Sequence, residues 1–560
     1  MFSLPKTVAL AALTAATLSA PLAPALAAPI ETPKPKLVVV ISIDQFSASL
    51  FEQYRADFHG GLGRLARQGT VYPSGYQSHG MTETCPGHST LLTGKYPNKT
   101  GIVANDFYDL ATGQKTYCLA DPSVTLANDP SGGGRLVSPK LLKAQTYGDW
   151  LKAVSPQSRV YAVSGKDRGA INMAGHKADG VFWLETRFGM TTWVEPGQDA
   201  KARLAPVAAF NARVVADQKK KPFTWTYADK RCAALEGDYV TGGRAWRAAL
   251  PRPVPTDAAG VTNDLSISPY TDRVTLDAAQ ALREEFKLGD GGATDVLTIS
   301  LSATDFIGHR YGTKGPEMCD HLLRLDDRLG VFLDSLDKVK GQVLVVLAAD
   351  HGGSDFPERL AQQGYDAGRV PPAQWLKDLN AAVRAQLALA YDPLVQAGGV
   401  ESLYVVGADG KTPSVGDHAR ITAAALAILA KRPEVFAAYD ANSLVTAAPP
   451  PKGTPPDEIS VAERMRRSAY PGRVGDILVA FQPYQTPASP GPSYVASHGS
   501  PWNYDRRVPI LFWWKGGPAR ERVLPIETVD IAPTLAAVTG VPVPADVDGR
   551  CLPLGAGPVC

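Results

Sequence analysis

The sequence lacks a strong charge bias. Its 560 residues carry a formal net charge of only +2, and its longest basic run is Lys219–Lys221. Binding to nucleic acid through the phosphates needs clustered basic residues, so we expect no nucleic-acid partner. A nearly neutral chain also gives little long-range attraction for an anionic substrate. Any affinity for such a substrate must therefore come from groups placed around the binding site.

After the N-terminus the chain also lacks an apolar run of about 18 residues, the length that spans a bilayer. The start of the chain is different, because Lys6 is the only charge before Glu31 and an Ala- and Leu-rich run leads to Ala25–Ala28. This order is typical of a signal peptide, and two prolines in the run argue against a membrane anchor. We predict that residues 1–28 are a cleaved signal peptide. The mature protein should be periplasmic or secreted and have no membrane anchor.

Cysteine is scarce and has no metal-binding spacing. The cysteines are Cys85, Cys118, Cys232, Cys319, Cys551 and Cys560. None forms the CxxC or Cys/His spacing of a zinc knuckle. Export permits disulfides, but the sequence does not choose among the pairings. Cys551 and Cys560 are near enough in the chain to close a short loop.

Glycine and proline are abundant, at 52 and 46 residues, and 44% of the residues are hydrophobic. This composition predicts irregular loops around a sizeable core. Apolar, β-branched runs predict buried strands at Leu37–Ile43, Val160–Val163, Val296–Leu301, Val343–Ala348, Ile477–Phe481 and Ile510–Trp514. Helical periodicity is present at Thr275–Phe286, Leu322–Leu336, Ile421–Ala430 and Ile526–Val538.

The alternation of strands and helices predicts an α/β fold with a mostly parallel sheet covered by helices on both faces. Residues 172–270 and 355–490 have less regular patterns. We interpret both segments as irregular insertions that form a cap on a single domain, residues 29–560.

Candidate metal ligands follow two of the predicted strands, where ligand sites of open α/β sheets form. Asp44 follows the first strand directly, and the dipeptide Asp350-His351 follows a later one. A lone aspartate at such a place is more often a turn or cap residue. Adjacent Asp and His, however, are both common zinc ligands. The following Gly352–Gly353 is expected to permit a sharp turn of the loop.

A second set of donors comes from Asp305, His309 and His498. Asp305 and His309 are four residues apart, so one face of a helical turn can present both to one ion. Taken alone, this pair is explained slightly better by a capped helix with a chance histidine, and His498 is isolated among small residues. All the donors together exceed one tetrahedral zinc but suit two. Two metal ions about 3.5–4 Å apart can stabilise the attacking and leaving oxygens of an in-line displacement. We therefore predict two Zn²⁺ as cofactors.

Thr84 is the candidate nucleophile. Pro86 suits the first turn of a helix, which puts Thr84 just before a helix N-terminus, where free N–H groups favour an anion. Threonine is a weak nucleophile, and the Lewis acidity of zinc would favour its alkoxide. One alternative is that Thr84 is only a helix cap. Another is that Cys85 is the nucleophile, although in an oxidising compartment we expect it to be disulfide-bonded or buried.

Taken in order, these motifs resemble the alkaline phosphatase superfamily from about Leu37 to the C-terminus. They are most similar to its threonine-nucleophile branch, the phosphate-irrepressible bacterial alkaline phosphatases. The resemblance implies one zinc bound by Asp305, His309 and His498, and a second bound by Asp44, Asp350, His351 and the Thr84 oxygen. It also implies that Asn105, Lys166 and Arg168 bind the substrate and contribute to catalysis.

The sequence differs from the related alkaline phosphatases that are best known from enteric bacteria, which use a serine nucleophile and bind magnesium at a third site. Thr84 replaces that serine, and no clear magnesium set is present. A magnesium requirement is therefore not predicted.

Lys166 and Arg168 are also reasonable phosphate ligands on chemical grounds. Residues two apart on an extended segment point to the same side. Arginine offers a planar fork to a phosphate and lysine a point charge. Without the other motifs, a solvated loop pair would be the better explanation, because most lysines and arginines are exposed.

These residues predict an alkaline phosphatase that hydrolyses small phosphate monoesters through a phosphothreonine. The alternative enzyme is a nucleotide pyrophosphatase/phosphodiesterase, which shares the two-zinc site and the threonine. Sulfatases need a different nucleophile motif, which Cys85–His88 does not match. A non-enzymatic alternative is an exported zinc- or phosphate-binding protein. The sequence gives no code for the physiological substrate and does not decide the oligomeric state, for which a monomer is only the working assumption.

Overall fold

The computed structural model describes residue 3 and residues 34–129, 132–185, 189–220, 223–252, 265–451 and 453–555. The predicted signal peptide, residues 1–28, lies outside the described residues except for Ser3. Within the described part, no helix is long and apolar enough to cross a membrane.

The described strands are, in chain order, β1 (Leu37–Ile43), β2 (Thr70–Tyr76), β3 (Asp106–Asp109), β4 (Gln114–Tyr117), β5 (Thr125–Leu126), β6 (Val160–Ser164), β7 (Gly180–Glu185), β8 (Gly189–Thr191), β9 (Trp193–Val194), β10 (Gly237–Thr241), β11 (Arg244–Ala248), β12 (Asp295–Leu301), β13 (Val343–Ala348), β14 (Gly368–Arg369), β15 (Leu394–Gln396), β16 (Ser402–Val405), β17 (Val435–Asp440), β18 (Ile477–Phe481), β19 (Gln485–Thr486), β20 (Arg507–Trp513), β21 (Arg520–Glu521) and β22 (Ile526–Glu527).

The described α-helices are α1 (Ala48–Tyr54), α2 (Gly61–Gln68), α3 (Thr84–Thr93), α4 (Pro97–Thr100), α5 (Tyr147–Val154), α6 (Asp167–Ala174), α7 (Ala200–Lys220), α8 (Tyr270–Glu285), α9 (Ala303–Tyr311), α10 (Pro316–Leu336), α11 (Pro357–Gln362), α12 (Pro372–Leu387), α13 (Val415–Leu429), α14 (Ala441–Thr446), α15 (Val461–Ser468), α16 (Asn503–Arg506) and α17 (Ile531–Thr539). Short 3₁₀ turns lie at Pro139–Leu141, Lys230–Leu235 and Thr528–Asp530.

The central sheet has ten strands in the order β21-β2-β20-β13-β1-β12-β6-β7-β8, and β22 pairs with β2. Its middle strands, β13-β1-β12-β6-β7, are all parallel. The antiparallel strands β20 and β8 flank this parallel group. Because the middle strands run in one direction, their carboxyl ends all lie at the same edge of the sheet.

Both faces of the sheet are covered by helices. Alternate residues of β1 belong to two different apolar clusters: Leu37, Val39, Ile41 and Ile43 pack on one side, and Val38 and Val40 on the other. The first cluster includes side chains of α1, α2, α8 and α10, and the second includes side chains of α3, α5 and α17. This side-to-side alternation follows from the two-residue period of a strand. It confirms the predicted α/β fold with a mostly parallel, doubly covered sheet.

A smaller four-stranded sheet, in the order β15-β16-β18-β17, lies within residues 355–490. Its own apolar cluster includes Trp375 and Leu379 of α12 and Leu429 of α13. The other segment with a less regular sequence, residues 172–270, contributes β7 and β8 to the central sheet. The division into a signal peptide and one domain with two insertions stays a prediction.

Most predicted strands and helices are present, with two corrections. Ile477–Phe481 is a strand, but as β18 it belongs to the smaller sheet and not to the central one. The predicted helix Ile526–Val538 is wrong over its first residues, which form β22 and a 3₁₀ turn before α17 begins at Ile531. Leu535 and Ala536 are buried against the sheet, but Ile526 is buried as well. The spacing of the apolar residues alone therefore did not distinguish the short strand at the start of this segment from the helix that follows it.

Candidate active site

Four neighbouring parallel strands present the predicted site residues at one edge of the sheet. Asp350 and His351 follow β13, Asp44 follows β1, α9 with Asp305 and His309 follows β12, and Lys166 and Arg168 follow β6. The strands are in register at this edge, where Ser42 of β1 pairs with Ser300 of β12 and Ala348 of β13. Residues that are far apart in the sequence are thereby brought together.

Asp305, His309 and His498 form one compact group of potential metal ligands. Asp305 Oδ1 lies 3.2 Å from His309 Nε2 and 3.3 Å from His498 Nε2. Asp305 and His309 are one turn apart on α9, as predicted, and the isolated His498 reaches them from the loop between β19 and α16. Two imidazoles and a carboxylate are an ordinary zinc donor set.

A second group surrounds His351. Its Nε2 lies 3.4 Å from Asp44 Oδ1 and 3.4 Å from Asp350 Oδ2. The set of potential metal ligands found here contains Asp305 beside Asp44 and His351 and does not include the predicted ligand Asp350. Asp305 therefore lies between the two groups. His351 and His498 stack with ring centroids 3.7 Å apart, which places the two groups side by side.

The ring orientations of all three histidines are fixed by backbone carbonyl groups. Nδ1 lies 2.8 Å from a carbonyl oxygen in each case: Ala496 for His309, Gly352 for His351 and Thr82 for His498. A carbonyl oxygen can only accept, so each Nδ1 carries the proton. In the neutral ring with this tautomer, Nε2 carries the lone pair and faces the carboxylates, which is the orientation that a histidine needs to bind a metal ion.

Several buried polar atoms at this edge have no hydrogen-bond partner. They include Asp44 Oδ1 and His351 Nε2, whose side chains are fully buried. An unsatisfied buried polar atom is costly. These atoms lie close enough together to bind one metal ion, and such an ion would satisfy all of them.

The carboxylates repel each other in this buried place. Burial raises the pKa of Asp44 well above its ordinary range, and the charges of Asp305 and Asp350 raise it further. For Asp305, burial acts in the same direction, but His309 and Lys166 outweigh it and lower the pKa. A divalent cation would neutralise this concentration of negative charge. The donor types, their orientation and their charge therefore fit the predicted zinc ions.

Thr84 is the first residue of α3, and Glu83 is the N-cap. The helix thus begins one residue earlier than predicted, and Thr84 is not merely its cap. The predicted free N–H groups are partly committed, because the Cys85 N–H donates to Asn105 Oδ1 at 2.9 Å and Pro86 has no N–H. Thr84 lines a cavity of about 460 Å³ together with Asn105, Arg168, Asp305, His309 and His498.

The rival nucleophile Cys85 forms a disulfide with Cys118 and is fully buried. This agrees with the expectation for an oxidising compartment and leaves no thiol there. Cys232 and Cys319 form a second disulfide. Cys551 is disulfide-bonded as well, and Cys560 lies outside the described residues.

Lys166 and Arg168 differ from the prediction in local geometry. Lys166 is the N-cap of α6 and Arg168 lies in the first helical turn, so the pair is not on an extended segment. Lys166 Nζ lies 2.6 Å from Asp44 Oδ2 and also bonds Asp305. Arg168 lines the cavity, and its Nε has no hydrogen-bond partner.

The prediction that Gly352 and Gly353 form a sharp turn is wrong, because the chain bends at Asp350 and residues 351–356 form neither a turn nor a bend. Gly352 and Gly353 are not in the left-handed region. A Cβ on Gly352 would lie 2.3 Å from the carbonyl oxygen of Tyr504, and one on Gly353 would lie 2.8 Å from Gln45 Cγ. Both glycines are needed because other groups approach closely and not because of a special backbone angle.

Gln45 is a supporting residue that the sequence did not reveal. It adopts φ 64°, which is unusual for a residue other than glycine. Its backbone N–H donates to Asp350 Oδ1 at 3.2 Å, and its Nε2 donates to Asp305 Oδ1 at 3.3 Å. Only its position next to Asp44 could have drawn attention to it.

His88 is a second residue that was missed, although it lies in the nucleophile segment. Its Nδ1 is 2.9 Å from the Thr84 carbonyl oxygen and 3.0 Å from Asp350 Oδ2, and its Nε2 is 2.8 Å from Ser300 Oγ. It therefore links the start of α3 to the second ligand group. The spacing of four residues from Thr84 was the available signal.

Comparison with known proteins identifies the family. A model of the type I phosphodiesterase / nucleotide pyrophosphatase family matches residues 38–481. The chain is 40% identical over 534 residues to alkaline phosphatase PhoK of Sphingomonas sp, a match that covers 93% of this chain and 92% of that protein. The chain belongs to the alkaline phosphatase superfamily. Alkaline phosphatase PhoD of Zymomonas mobilis is 38% identical over 526 residues, covering 93% and 88% of the two chains.

The crystal structure of wild-type alkaline phosphatase PafA has the same fold. It superposes with a TM-score of 0.80 at 26% sequence identity, and the match covers 94% of this chain and 99% of that one. The superfamily predicted from the ordered motifs is thus confirmed, and this alkaline phosphatase relative has the α/β architecture described above.

Proposed function

We propose that this protein is an alkaline phosphatase that hydrolyses phosphate monoesters at a two-zinc site through a phosphorylated Thr84. The enzyme class, phosphoric monoester hydrolase, is supported by extensive identity to PhoK and PhoD. The observation that carries the finer proposal is the convergence of two donor groups that share Asp305. The second group has the unpartnered atoms Asp44 Oδ1 and His351 Nε2, and Thr84 lies in the cavity that the first group lines.

In this proposal, Asp305, His309 and His498 hold one zinc ion. Asp44, Asp350 and His351, with the Thr84 oxygen, hold the other. Bound zinc supplies Lewis acidity to the attacking and the leaving oxygen. Asp305 is close to both groups, and it orients the two sides of the site relative to each other.

The Thr84 hydroxyl gives its proton to solvent water and its Oγ1 attacks phosphorus. A bond forms between this oxygen and phosphorus as the bond to the leaving-group oxygen breaks, and the alcohol leaves after taking up a proton. A water molecule then attacks the phosphothreonine, returns the threonine hydroxyl and releases inorganic phosphate. His88 and the carboxylate of Asp350 hold the start of α3, so that Thr84 is kept in place for both steps.

The groups proposed to bind the phosphoryl oxygens are Asn105, Lys166 and Arg168. Asn105 is anchored from two sides, since its Oδ1 accepts the Cys85 N–H and its own N–H donates to Glu83 Oε2 at 2.8 Å. Burial alone would lower the pKa of Arg168, but the neighbouring Tyr117 and Asp167 outweigh it and raise that pKa. The guanidinium therefore stays charged, as a phosphate-binding group must.

We also propose that the protein is exported. The basis is the signal-like N-terminus, and the disulfides Cys85–Cys118 and Cys232–Cys319 support it because such bonds persist in oxidising compartments. N-terminal sequencing of the mature protein from the periplasm or medium would test this proposal. A protein that starts at Met1 and stays in the cytoplasm would contradict it.

Phosphodiester hydrolysis is the second candidate, because the matching family model carries a phosphodiesterase name. A monoester dianion has one more negative charge at the phosphoryl oxygens than a diester, and Lys166 and Arg168 favour the more charged substrate. The test is kcat/KM of the zinc-loaded protein for p-nitrophenyl phosphate and for a matched p-nitrophenyl diester. The proposal predicts a clear preference for the monoester, and a preference for the diester would replace it with the second candidate.

A further inference from the structure

Tyr494 lies against the first donor group but has no part in the predicted site. It lines the same cavity as Thr84 and is 44% exposed. Its ring stacks on His309 with centroids 4.4 Å apart and an interplanar angle of 21°. The Tyr494 hydroxyl lies 3.3 Å from His309 Nε2.

The backbone fixes this position. The N–H groups of Val495 and Ala496 both lie within hydrogen-bond distance of the His309 carbonyl oxygen, at 2.7 and 3.3 Å. In return, His309 Nδ1 donates to the Ala496 carbonyl oxygen at 2.8 Å. The loop that carries Tyr494 is therefore attached to the end of α9 by three hydrogen bonds. The same loop continues to His498.

The stacking also shows what the hydroxyl can reach. The Tyr494 hydroxyl is within 3.3 Å of His309 Nε2, the atom that would bind zinc, and both residues line the cavity that contains Thr84. A substrate oxygen bound next to His309 would therefore be within reach of the hydroxyl. In the proposed function, Thr84 belongs to the second donor group and supplies the attacking oxygen. The attacking and leaving oxygens are on opposite sides of phosphorus in an in-line displacement, so the first donor group would stabilise the leaving oxygen.

We propose that Tyr494 contacts the leaving group: its hydroxyl donates a hydrogen bond to the ester oxygen as the P–O bond breaks. The tyrosine keeps its proton, and the alcohol takes its proton from water. The donated bond stabilises the negative charge that develops on this oxygen. This inference rests on the proposed function and adds a residue that determines which leaving groups react well.

The chemistry predicts a dependence on the leaving group. An alkyl phosphate leaves as a strongly basic oxygen that carries much charge in the transition state, whereas p-nitrophenolate stabilises its own charge. Loss of the hydrogen bond should therefore matter most for poor leaving groups. A hydrogen bond to a charged oxygen corresponds to roughly tenfold or more in rate.

The test is Tyr494→Phe, which keeps the stacked ring, measured with p-nitrophenyl phosphate, phenyl phosphate and an alkyl phosphate. We expect kcat/KM to fall about tenfold or more for the alkyl ester and less than about threefold for p-nitrophenyl phosphate. Tyr484→Phe is the matched control, because Tyr484 also stacks on another ring, that of Tyr504. It should leave all three rates unchanged.

Zinc content and the visible spectrum of the Co²⁺-substituted protein separate a substrate contact from a role in metal binding. Both should be the same in wild type and Tyr494→Phe. Equal losses on every ester would overturn the inference, as would lost zinc or a changed Co²⁺ spectrum. A wild type without phosphatase activity would instead refute the proposed function, and the two failures are thereby distinguished.

Discussion

Lys166 Nζ lies 2.6 Å from Asp44 Oδ2, in a place where both side chains are buried. The lysine is therefore next to a proposed metal ligand. Arg168 lines the cavity. The two residues should consequently contribute in different ways.

We expect Arg168→Ala to lower kcat/KM for p-nitrophenyl phosphate by ~10–150-fold and to affect the diester less, because it removes a charge-assisted contact to the extra negative charge. Zinc content should not change. Lys166→Ala should lower kcat/KM similarly and also weaken zinc retention, measured by metal analysis after dialysis against a chelator. Equal losses on monoester and diester in both variants would show that the pair only maintains the site.

Removal of metal should abolish activity. The proposed ligands face one another with unpartnered atoms, and no other group in the proposed mechanism replaces the Lewis acid. After exhaustive treatment with a chelator and dialysis, activity on p-nitrophenyl phosphate should disappear, and added Zn²⁺ should restore it to near the starting value. Full activity of a protein shown by metal analysis to contain no zinc would contradict the two-zinc proposal.

Gly87 tests the packing of the nucleophile helix. A Cβ at this position would lie 2.1 Å from the carbonyl oxygen of Asp350, a backbone atom that cannot easily move. We expect Gly87→Ala to destabilise the protein by about 1–3 kcal/mol and to reduce activity by moving α3 away from the metal ligands. Gly416→Ala is the matched control, because a Cβ there meets nothing within 4 Å. Thermal unfolding should show a lower Tm for the first variant and an unchanged or higher one for the second.

Asp530 should make stability depend on pH. It is fully buried, and burial raises its pKa from the ordinary 3.8 to about 7. The folded protein therefore keeps a proton on this carboxyl that the unfolded chain has lost, and its contribution to stability is lost as the pH rises toward 7. Urea unfolding at several pH values should show that wild type loses stability relative to Asp530→Asn across this window. A difference that does not vary with pH would show that Asp530 is ionised in the fold.

The sequence predicted the fold and the places of the proposed ligands, at strand ends and on one helical turn, because both depend on local pattern. Apolar strands followed by Asp, or by Asp and His, were visible in β1 and β13, and the parallel arrangement brought their ends together. Asp305 and His309 were predicted on one face of a helical turn, and α9 has them there.

The remaining features depend on contacts between distant segments. The pairing of the cysteines, the close approach that requires Gly352, and the position of Gln45 between Asp305 and Asp350 have no local signal. Tyr494 was not predicted either, because its importance comes from stacking on a residue 185 positions away in the sequence. The pairing of the donors into two groups could be taken only from the resemblance.

Thr84 carries the phosphoryl group in the proposed mechanism, and its substitution tests this role. Thr84→Ala should lose activity by at least about a thousandfold, while Thr84→Ser should keep part of it and both variants should stay folded.

The most direct measurement is acid quenching of the zinc-loaded wild type during turnover of p-nitrophenyl phosphate, followed by mass spectrometry of the peptide that contains Met81–Gly94. We expect a phosphate on Thr84 in wild type, on the introduced serine in the Thr84→Ser variant, and none in Thr84→Ala. A phosphate on another residue, or an active Thr84→Ala variant, would contradict the phosphothreonine mechanism.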